Sequence, residues 1–362
     1  MRQRLGFLAI SLLLANSGQT ANANPSVRKD ILDIQAAQTE RARSSVLTAV
    51  AVTGKRLVAV GERGVVLLSD DNGQNWRQAK LVPTSVTLTN IFFASSKIGW
   101  AIGHGGAVLK TVDSGETWIR QLDGNQAAQL ELVAANAAAN GGTETRRQSD
   151  AHHLVKEGAD KPFLDVHFFD EQHGIIIGAY GLIFGTHDGG KTWISLIGEI
   201  DNPKGRHLYH ITAVGQDVLI TGEQGVIYRG SQAGQHFTTM ISPYVGTLFG
   251  AIATPGNNLL VYGLRGNAFR SSDQGIAWTK VEFGLPLTLT AGTTLRDGRL
   301  VVVDETGRVM LSGDGGIQFT SLPIPKMNAA TGVVEAADGS LVVSTQRGVI
   351  RIANEALRLE RK

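Results

Sequence analysis

One eight-residue turn recurs along the chain and constrains the fold more than any other feature. It has the form S/T-x-D-x-G-x-x-W, and its complete copies are Ser69–Trp76, Thr111–Trp118, Thr186–Trp193 and Ser271–Trp278. Ser312–Phe319 replaces Trp by Phe, and Gly230–Phe237 has lost the Asp. A repeat of about forty residues predicts a closed repeat array. This prediction replaces the roughly two domains that a length of 362 residues would suggest.

A second turn, G-x-x-G, gives the period of the repeat. Its last glycine is Gly64, Gly106, Gly181, Gly225, Gly266, Gly307 and Gly348. Short apolar and β-branched runs lie between the turns, which is typical of four-stranded antiparallel meanders. Seven such units predict an all-β fold, a seven-bladed β-propeller with four-stranded antiparallel blades. In the seventh unit, only residues 357–359 remain as a candidate last strand.

The distance of 75 residues between Gly106 and Gly181 marks an insert, since the other intervals are 41 to 44 residues. We place the insert at about 123–161, with a candidate helix over 128–139. Residues 46–362 then form one propeller. The pattern of the preceding extension, 24–45, fits either a short amphipathic helix or a strand that feeds the ring.

Residues 1–23 have the pattern of a secretory signal peptide. Arg2 and Arg4 precede an apolar run over 5–15, and residues 21–23 have the A-x-A form of a cleavage site. The apolar run is too short to span a bilayer, and no segment of the mature chain is long enough. The chain has no Cys, which excludes a lipoprotein anchor. We expect an exported protein of the periplasm, or of the thylakoid lumen in a phototroph.

Charge and histidine spacing exclude further classes of function. The chain has 34 Lys and Arg and 32 Asp and Glu, and the two basic residues of the signal segment account for the difference. A neutral mature chain has no electrostatic basis for binding nucleic acid. His207 and His210 have H-x-x-H spacing, but no Cys or acidic partner lies at a spacing typical of a metal site. We therefore expect no metal and no cofactor.

The aspartates of the recurrent turn are candidate structural residues. They are Asp71, Asp113, Asp188, Asp273 and Asp314. Asp, Ser and Thr side chains can form hydrogen bonds with the backbone of their own turn, while Gly permits a positive φ. Because each of these residues lies in a different blade, they are spread around a rim, too far apart to share a metal or a substrate.

The opposite face of the ring is the predicted binding surface. There the G-x-x-G turns and the links between blades meet around the central channel. The candidate partner-binding residues are Arg63, His104, Tyr180, Arg206, His207, Arg265 and Arg347. Arg and Tyr together suit recognition of a protein segment or a carboxylate. Arg is also common in turns simply because turns are hydrated.

The linked pattern over 88–118, and again over 163–193, resembles the photosystem II stability and assembly factor family, whose repeat is the Asp-box or BNR repeat. The resemblance covers residues 46–353. It implies a non-catalytic propeller, expected to be a monomer, that binds a protein partner in a membrane-associated complex. Members in phototrophs are lumenal, and relatives occur as exported proteins of bacteria without a photosystem. The insert and the short bacterial-type signal distinguish this chain.

Asp-boxes also occur in sialidase-like propellers, so a glycan-binding protein or glycoside hydrolase is the alternative. A sialidase site needs an arginine triad, a Tyr–Glu pair and usually Arg-Ile-Pro near the start, and no Arg-Ile-Pro is present. Other glycosidases need two neighbouring carboxylates. Glu62, Glu223 and Glu305 share the predicted binding face but lie in blades one, four and six, which leaves such a pair open.

Overall fold

The computed structural model describes residues 30–139, 144–231, 234, 236–254 and 258–357. The predicted signal peptide, 1–23, lies outside these residues. The described strands form seven antiparallel sheets, and the first strand of each sheet contacts the first strand of the next. The seventh sheet contacts the first in the same way, so the ring is closed. The predicted seven-bladed β-propeller is confirmed.

Blades 1 to 3 each contain four strands in chain order. Blade 1 consists of β1 (Leu47–Thr53), β2 (Arg56–Gly61), β3 (Val66–Ser69) and β4 (Arg77–Gln78). Blade 2 consists of β5 (Leu88–Phe93), β6 (Gly99–Gly103), β7 (Val108–Thr111) and β8 (Ile119–Leu122). Blade 3 follows the insert and consists of β9 (Phe163–Phe168), β10 (Gly174–Gly178), β11 (Ile183–Thr186) and β12 (Ile194–Ser195).

Blades 4 to 6 repeat this arrangement. Blade 4 consists of β13 (Leu208–Val214), β14 (Asp217–Gly222), β15 (Ile227–Ser231) and β16 (His236–Thr239). Blade 5 consists of β17 (Leu248–Thr254), β18 (Asn258–Gly263), β19 (Ala268–Ser271) and β20 (Thr279–Val281). Blade 6 consists of β21 (Leu289–Thr294), β22 (Leu300–Asp304), β23 (Val309–Ser312) and β24 (Thr320–Ser321).

Blade 7 has three strands among the described residues, β25 (Ala330–Glu335), β26 (Leu341–Thr345) and β27 (Gly348–Ile352). The candidate last strand at 357–359 is wrong at Leu357, which ends a 3₁₀ turn, Asn354–Leu357, and is buried in the core. Residues 358 and 359 lie outside the described part of the chain. The side-chain oxygen of Thr331 donates to the carbonyl of Leu47 at 2.7 Å, which joins blade 7 to blade 1.

One hydrogen bond recurs in all seven blades and fixes the G-x-x-G turns. The N–H that follows the second strand donates to the carbonyl just before the first strand, at 2.9–3.2 Å. The pairs are Glu62–Val46, His104–Thr87, Ala179–Pro162, Glu223–His207, Leu264–Thr247, Glu305–Thr288 and Gln346–Ala329. A Cβ at Gly61 would collide with the Val46 carbonyl, and one at Gly64 with the Thr84 carbonyl. The glycines therefore permit close backbone approach.

The Asp-box turns form hydrogen bonds within themselves. In blade 2, the N–H of Gly115 donates to Thr111 Oγ1 at 2.9 Å, and the N–H of Thr117 donates to Asp113 Oδ1 at 2.9 Å. The equivalent bonds to Asp71, with that from the Asn75 N–H contributing most, lower the pKa of its carboxyl to about 2. Each carboxylate thus supplies acceptors that the backbone of a tight turn lacks.

The described part of the N-terminal extension, residues 30–45, forms two 3₁₀ turns, Ile31–Asp33 and Glu40–Ser44, rather than an α-helix or a strand. We call residues 30–46 the strap. Its carbonyl at Ile31 accepts the N–H of Ser85 at 3.0 Å, and its carbonyl at Ser45 accepts the N–H of Gly348 at 2.9 Å. The strap therefore crosses the G-x-x-G face from blade 2 to blade 7.

The insert is a helical hairpin of α1 (Gly124–Ala137) and α2 (Arg146–Glu157). The predicted helix over 128–139 begins earlier, at a capping box formed by Asp123 and Gln126. A second capping box, Thr145 with Gln148, starts α2, which the sequence analysis did not predict. Among the described helices, none is both long and apolar enough to cross a membrane.

A polar network joins the first strands of blades 2 to 5. Asp165, almost fully buried, accepts from Asn90 Nδ2 at 2.6 Å and lies 2.7 Å from His210 Nδ1. The second ring nitrogen of His210 lies 3.2 Å from the Ala251 carbonyl. Burial favours neutral His210, but the Asp165 carboxylate and the Ala251 carbonyl outweigh it and raise the pKa of His210.

We predict that Thr111→Val destabilises the protein by about 1–3 kcal/mol, because the buried Gly115 N–H loses its acceptor. Thr111→Ser is the matched control, since Ser69 and Ser271 hold the same position in other blades. Urea unfolding of both variants measures the difference. Equal stability of the Val and Ser variants would contradict this role for the side-chain oxygen.

We also predict that His210→Gln reduces the dependence of stability on pH between about 6.5 and 9. A histidine pKa that is raised by folding stabilises the protein below the unfolded value of about 6.5, and this contribution is lost as the pH rises through the folded value. His167 does not interfere in this range, because burial lowers its pKa to about 4. Urea unfolding at both pH values should show a larger loss in the wild type than in the variant. An equal loss would refute the prediction.

Candidate partner-binding face

The first of the two residues between the glycines of a G-x-x-G turn donates its N–H to the link that enters the blade, as Glu62 does to Val46 at 3.0 Å. In five blades the second of them has a left-handed conformation, with φ between +54° and +65°. These residues are Arg63, Gly105, Tyr180, Gln224 and Arg265. Four of the five are large side chains at a position that favours glycine. The turn therefore fixes the backbone conformation at this position, while the side chain differs from blade to blade.

The structure brings three of the seven predicted binding residues together. The N–H of Tyr180 lies 3.4 Å from His207 Nδ1, and Arg206 Nε donates to Gln224 Oε1 at 3.0 Å in the neighbouring turn. The other four predicted residues are exposed and lie in separate turns, namely Arg63, His104, Arg265 and Arg347. Within the described part of the chain, the structure shows no side-chain hydrogen bond or ion pair for these three arginines.

An aromatic row runs across blades 3 to 5. Tyr180, which is 60% exposed, lies 4.8 Å from His207 between ring centroids. His207 lies 6.0 Å from Tyr209, and Tyr209 lies 5.1 Å from Phe249. Because Tyr209 and Phe249 belong to first strands, which line the channel, the row leads from the turn of blade 3 to the channel mouth.

Tyr209 and Phe249 owe their position to a bulge that recurs at the start of each first strand. Each is the unpaired residue between two paired ones. The same position holds Thr48 in blade 1 and Thr89 in blade 2, and both hydroxyls donate to the carbonyl of the next blade at 2.6 Å. Blades 6 and 7 also have Thr at this position. An alignment of the seven repeats would therefore have revealed that Tyr209 and Phe249 replace Thr. The sequence analysis did not select either aromatic residue as a binding residue.

Charged groups lie beside the row at Tyr180 and at Tyr209. Lys161 Nζ lies 5.0 Å from the ring centroid of Tyr180, within the range of a cation–π contact. Burial opposes its charge, but ion pairs with Asp160 and Glu157 raise the pKa of Lys161. Burial and the nearby Glu223 carboxylate raise the pKa of Tyr209, so its phenol stays neutral at physiological pH.

The three glutamates that an alternative glycosidase site would use are bound to the backbone of their own blades. Glu62 accepts the N–H of Val46 at 2.9 Å, Glu223 that of His207 at 3.2 Å, and Glu305 that of Thr288 at 2.8 Å. Each carboxylate therefore fixes the link before its first strand. Because this structural role recurs in three blades, it accounts for the three glutamates without a catalytic function.

The two histidines of the H-x-x-H pair lie in different surroundings. His207 is in the aromatic row, whereas His210 is paired with Asp165 beneath it. In the described ranges, no group of three or more His, Cys, Asp or Glu side chains is arranged to hold a metal ion. The face is thus suited to contact with apolar, aromatic and hydrogen-bonding groups.

Comparison with solved structures shows the same fold at low sequence identity. The structure of YCF48 bound to D1 peptide is 14% identical, with a TM-score of 0.62 over 88% of this chain and 95% of that one. YCF48 from Cyanidioschyzon merolae is 15% identical, with a TM-score of 0.62 over 89% and 98%. A streptogramin B lyase, 11% identical, gives a TM-score of 0.63 over 86% and 94%. These similarities establish the propeller fold and leave the function open.

Sequence comparison is more specific. The photosystem II assembly lipoprotein Ycf48 of Synechococcus sp. (strain CC9902) is 30% identical over 94 residues, which is 24% of this chain and 28% of that relative's length. The family model for the photosynthesis system II assembly factor YCF48 matches residues 11–112 and 144–282, more than half of the chain. The chain therefore belongs to the YCF48 assembly factor family.

Proposed function

We propose that this protein is an exported, non-catalytic assembly factor whose G-x-x-G face binds an extended protein segment of a membrane-associated complex. The observation that carries the proposal is the aromatic row of Tyr180, His207, Tyr209 and Phe249. The strap crosses blades 2, 1 and 7. It therefore leaves uncovered the side of the face where the row lies, on blades 3 to 5.

The chemistry of the row suits a protein segment. Aromatic side chains and Arg are enriched in the centres of protein interfaces, and they supply much of the binding energy there. Gln224, next to Arg206, offers hydrogen-bonding groups beside the row. Arg265, exposed in the following blade, adds a charged group. The solved YCF48 with its D1 peptide is a precedent for peptide binding within the family.

Assembly rather than catalysis also fits the acidic residues. Glycosidases need two carboxylates that are free to face the substrate. Glu62, Glu223 and Glu305 instead accept hydrogen bonds from backbone N–H groups of their own blades. We therefore do not favour a glycoside hydrolase, although hydrolases share the propeller fold.

Export is supported by the pattern of residues 1–23 and by the Synechococcus relative, which is named as a lipoprotein. This chain has no Cys to carry a lipid. We predict a mature protein that begins at Asn24, because signal peptidase cleaves after small residues in the A-x-A form. Intact mass measurement of protein from the periplasmic fraction tests this. An uncleaved chain in the cytoplasm would refute export.

The double variant Tyr209→Thr, Phe249→Thr tests the binding face. Thr occupies the same bulge in blades 1, 2, 6 and 7, so the fold should tolerate it. A photo-crosslinking residue at Gln224 should capture the partner in the native host, and the double variant should reduce capture at least tenfold, as expected for loss of two aromatic contacts.

The matched control carries the same crosslinker at Gln74, in an Asp-box turn on the opposite face. We expect no capture of the same partner from Gln74. Equal capture from both faces, or capture that the double variant leaves unchanged, would refute the proposed face. Thermal unfolding of the double variant should match that of the wild type.

A further inference from the structure

A cleft of about 570 Å³ lies where the helical hairpin of the insert meets blades 3 and 4. One wall is α2, and the other is formed by the 3₁₀ turn Ile197–Glu199 and the loop over 200–205. Tyr180 and Lys161 close the end that faces the aromatic row. The volume is within the range of pockets that bury a small molecule or a large side chain.

A buried ion pair holds the walls of this cleft in place. Glu131 on α1 has only 4% of its side chain exposed. It accepts from Arg147 of α2 at 2.8 and 3.0 Å and from the Ser195 hydroxyl of β12. Because these contacts join α1 to both α2 and β12, they fix the hairpin against blade 3. The cleft is thus part of the folded protein rather than a gap beside a loose insert.

The lining has an apolar floor and a rim of balanced charge. Leu154, Leu182, Ile197 and Ile200 form the apolar part. Four basic and four acidic residues also line the cleft, namely Arg146, Arg147, Lys161 and Lys204 with Glu131, Asp150, Glu157 and Asp201. Most of these charges pair with each other. A lining of zero net charge gives a charged ligand no electrostatic advantage over a neutral one.

Tyr180 connects the cleft to the aromatic row. One side of its ring faces Lys161 in the cleft, at 5.0 Å, and His207 of the row lies at 4.8 Å. A peptide that lies along the row therefore reaches the cleft without leaving the surface. The exposed tyrosine ring at the entrance offers an aromatic edge against which another ring can pack.

We propose that the cleft is an anchor pocket for an uncharged aromatic side chain of the protein segment that binds along the aromatic row. The inference rests on the proposed function and specifies the chemistry of the partner. The insert builds one wall of this pocket, so it would give this chain a specificity element that the propeller alone does not provide.

The test uses N-acetyl-L-tryptophanamide as a neutral aromatic probe and protein labelled at isoleucine methyl groups. Addition of the probe should shift the NMR signals of Ile197 and Ile200 in the floor. The signals of Ile241 and Ile276, which are 80% and 81% exposed, should not shift. The charged analogues N-acetyl-L-tryptophan and tryptamine should bind more weakly, and N-acetyl-L-alaninamide should not bind measurably.

Two glycine variants make the test specific. Tyr180→Gly should weaken binding of the probe roughly three- to tenfold, as expected for loss of one aromatic contact. The change suits the backbone, because Gly105 holds the equivalent position in blade 2. Arg63→Gly, at the same conformation in blade 1, is the matched control and should leave the affinity unchanged.

Three results would overturn the proposal: no shift at Ile197 and Ile200, equal shifts at Ile241 and Ile276, or tighter binding of a charged analogue. The last result would identify the cleft as a site for a small ionic ligand. Failure here is distinct from failure of the proposed function. The probe reports on the cleft alone, whereas Tyr209→Thr, Phe249→Thr reports on the row and leaves the cleft intact.

Discussion

The hydrogen bond from each G-x-x-G turn to the link that enters its blade is the interaction on which the rest of the structure depends. It occurs in all seven blades at nearly the same length, for example from Glu62 to Val46 and from Glu223 to His207. Because it joins the end of the second strand to the start of the first, it sets the register of the strands that line the channel. It also requires backbone segments to approach closely, and glycine permits this at Gly61 and at the equivalent glycines of blades 2 to 5.

Because the glycines hold the backbone of these turns in one form, the side chains between them can differ from blade to blade. The backbone contact uses the N–H of the first residue between them, as at Glu62. The second residue keeps one conformation with very different side chains, as Arg63, Gly105, Tyr180 and Gln224 show. The bulge at the start of each first strand works in the same way. Thr there binds the next blade, as Thr48 does, while Tyr209 and Phe249 give up that bond and present an aromatic surface. Loss of a structural contact in two adjacent blades is a physical sign of a different role.

Two segments outside the repeat divide the face into unequal halves. The strap covers turns of blades 2, 1 and 7, with Leu32 packed against Val86 and Ala107. The hairpin rises beside blade 3, where the Glu131–Arg147 pair attaches it. The uncovered region between them contains the aromatic row and the cleft. A ring of seven similar blades thus becomes an asymmetric surface with one direction along which a protein segment can lie.

The two turn motifs and their period of about forty residues predict the fold, since they specify seven meanders that must close into a ring to bury their apolar strands. They also predict that Tyr180, His207 and Arg206 share the G-x-x-G face. Which side chains meet follows from the packing of the blades, because contacts between blades join residues from different repeats, such as Tyr209 and Phe249. The course of the strap and the docking of α2 likewise follow from the tertiary structure, since both depend on hydrogen bonds and ion pairs to distant residues rather than on a local pattern.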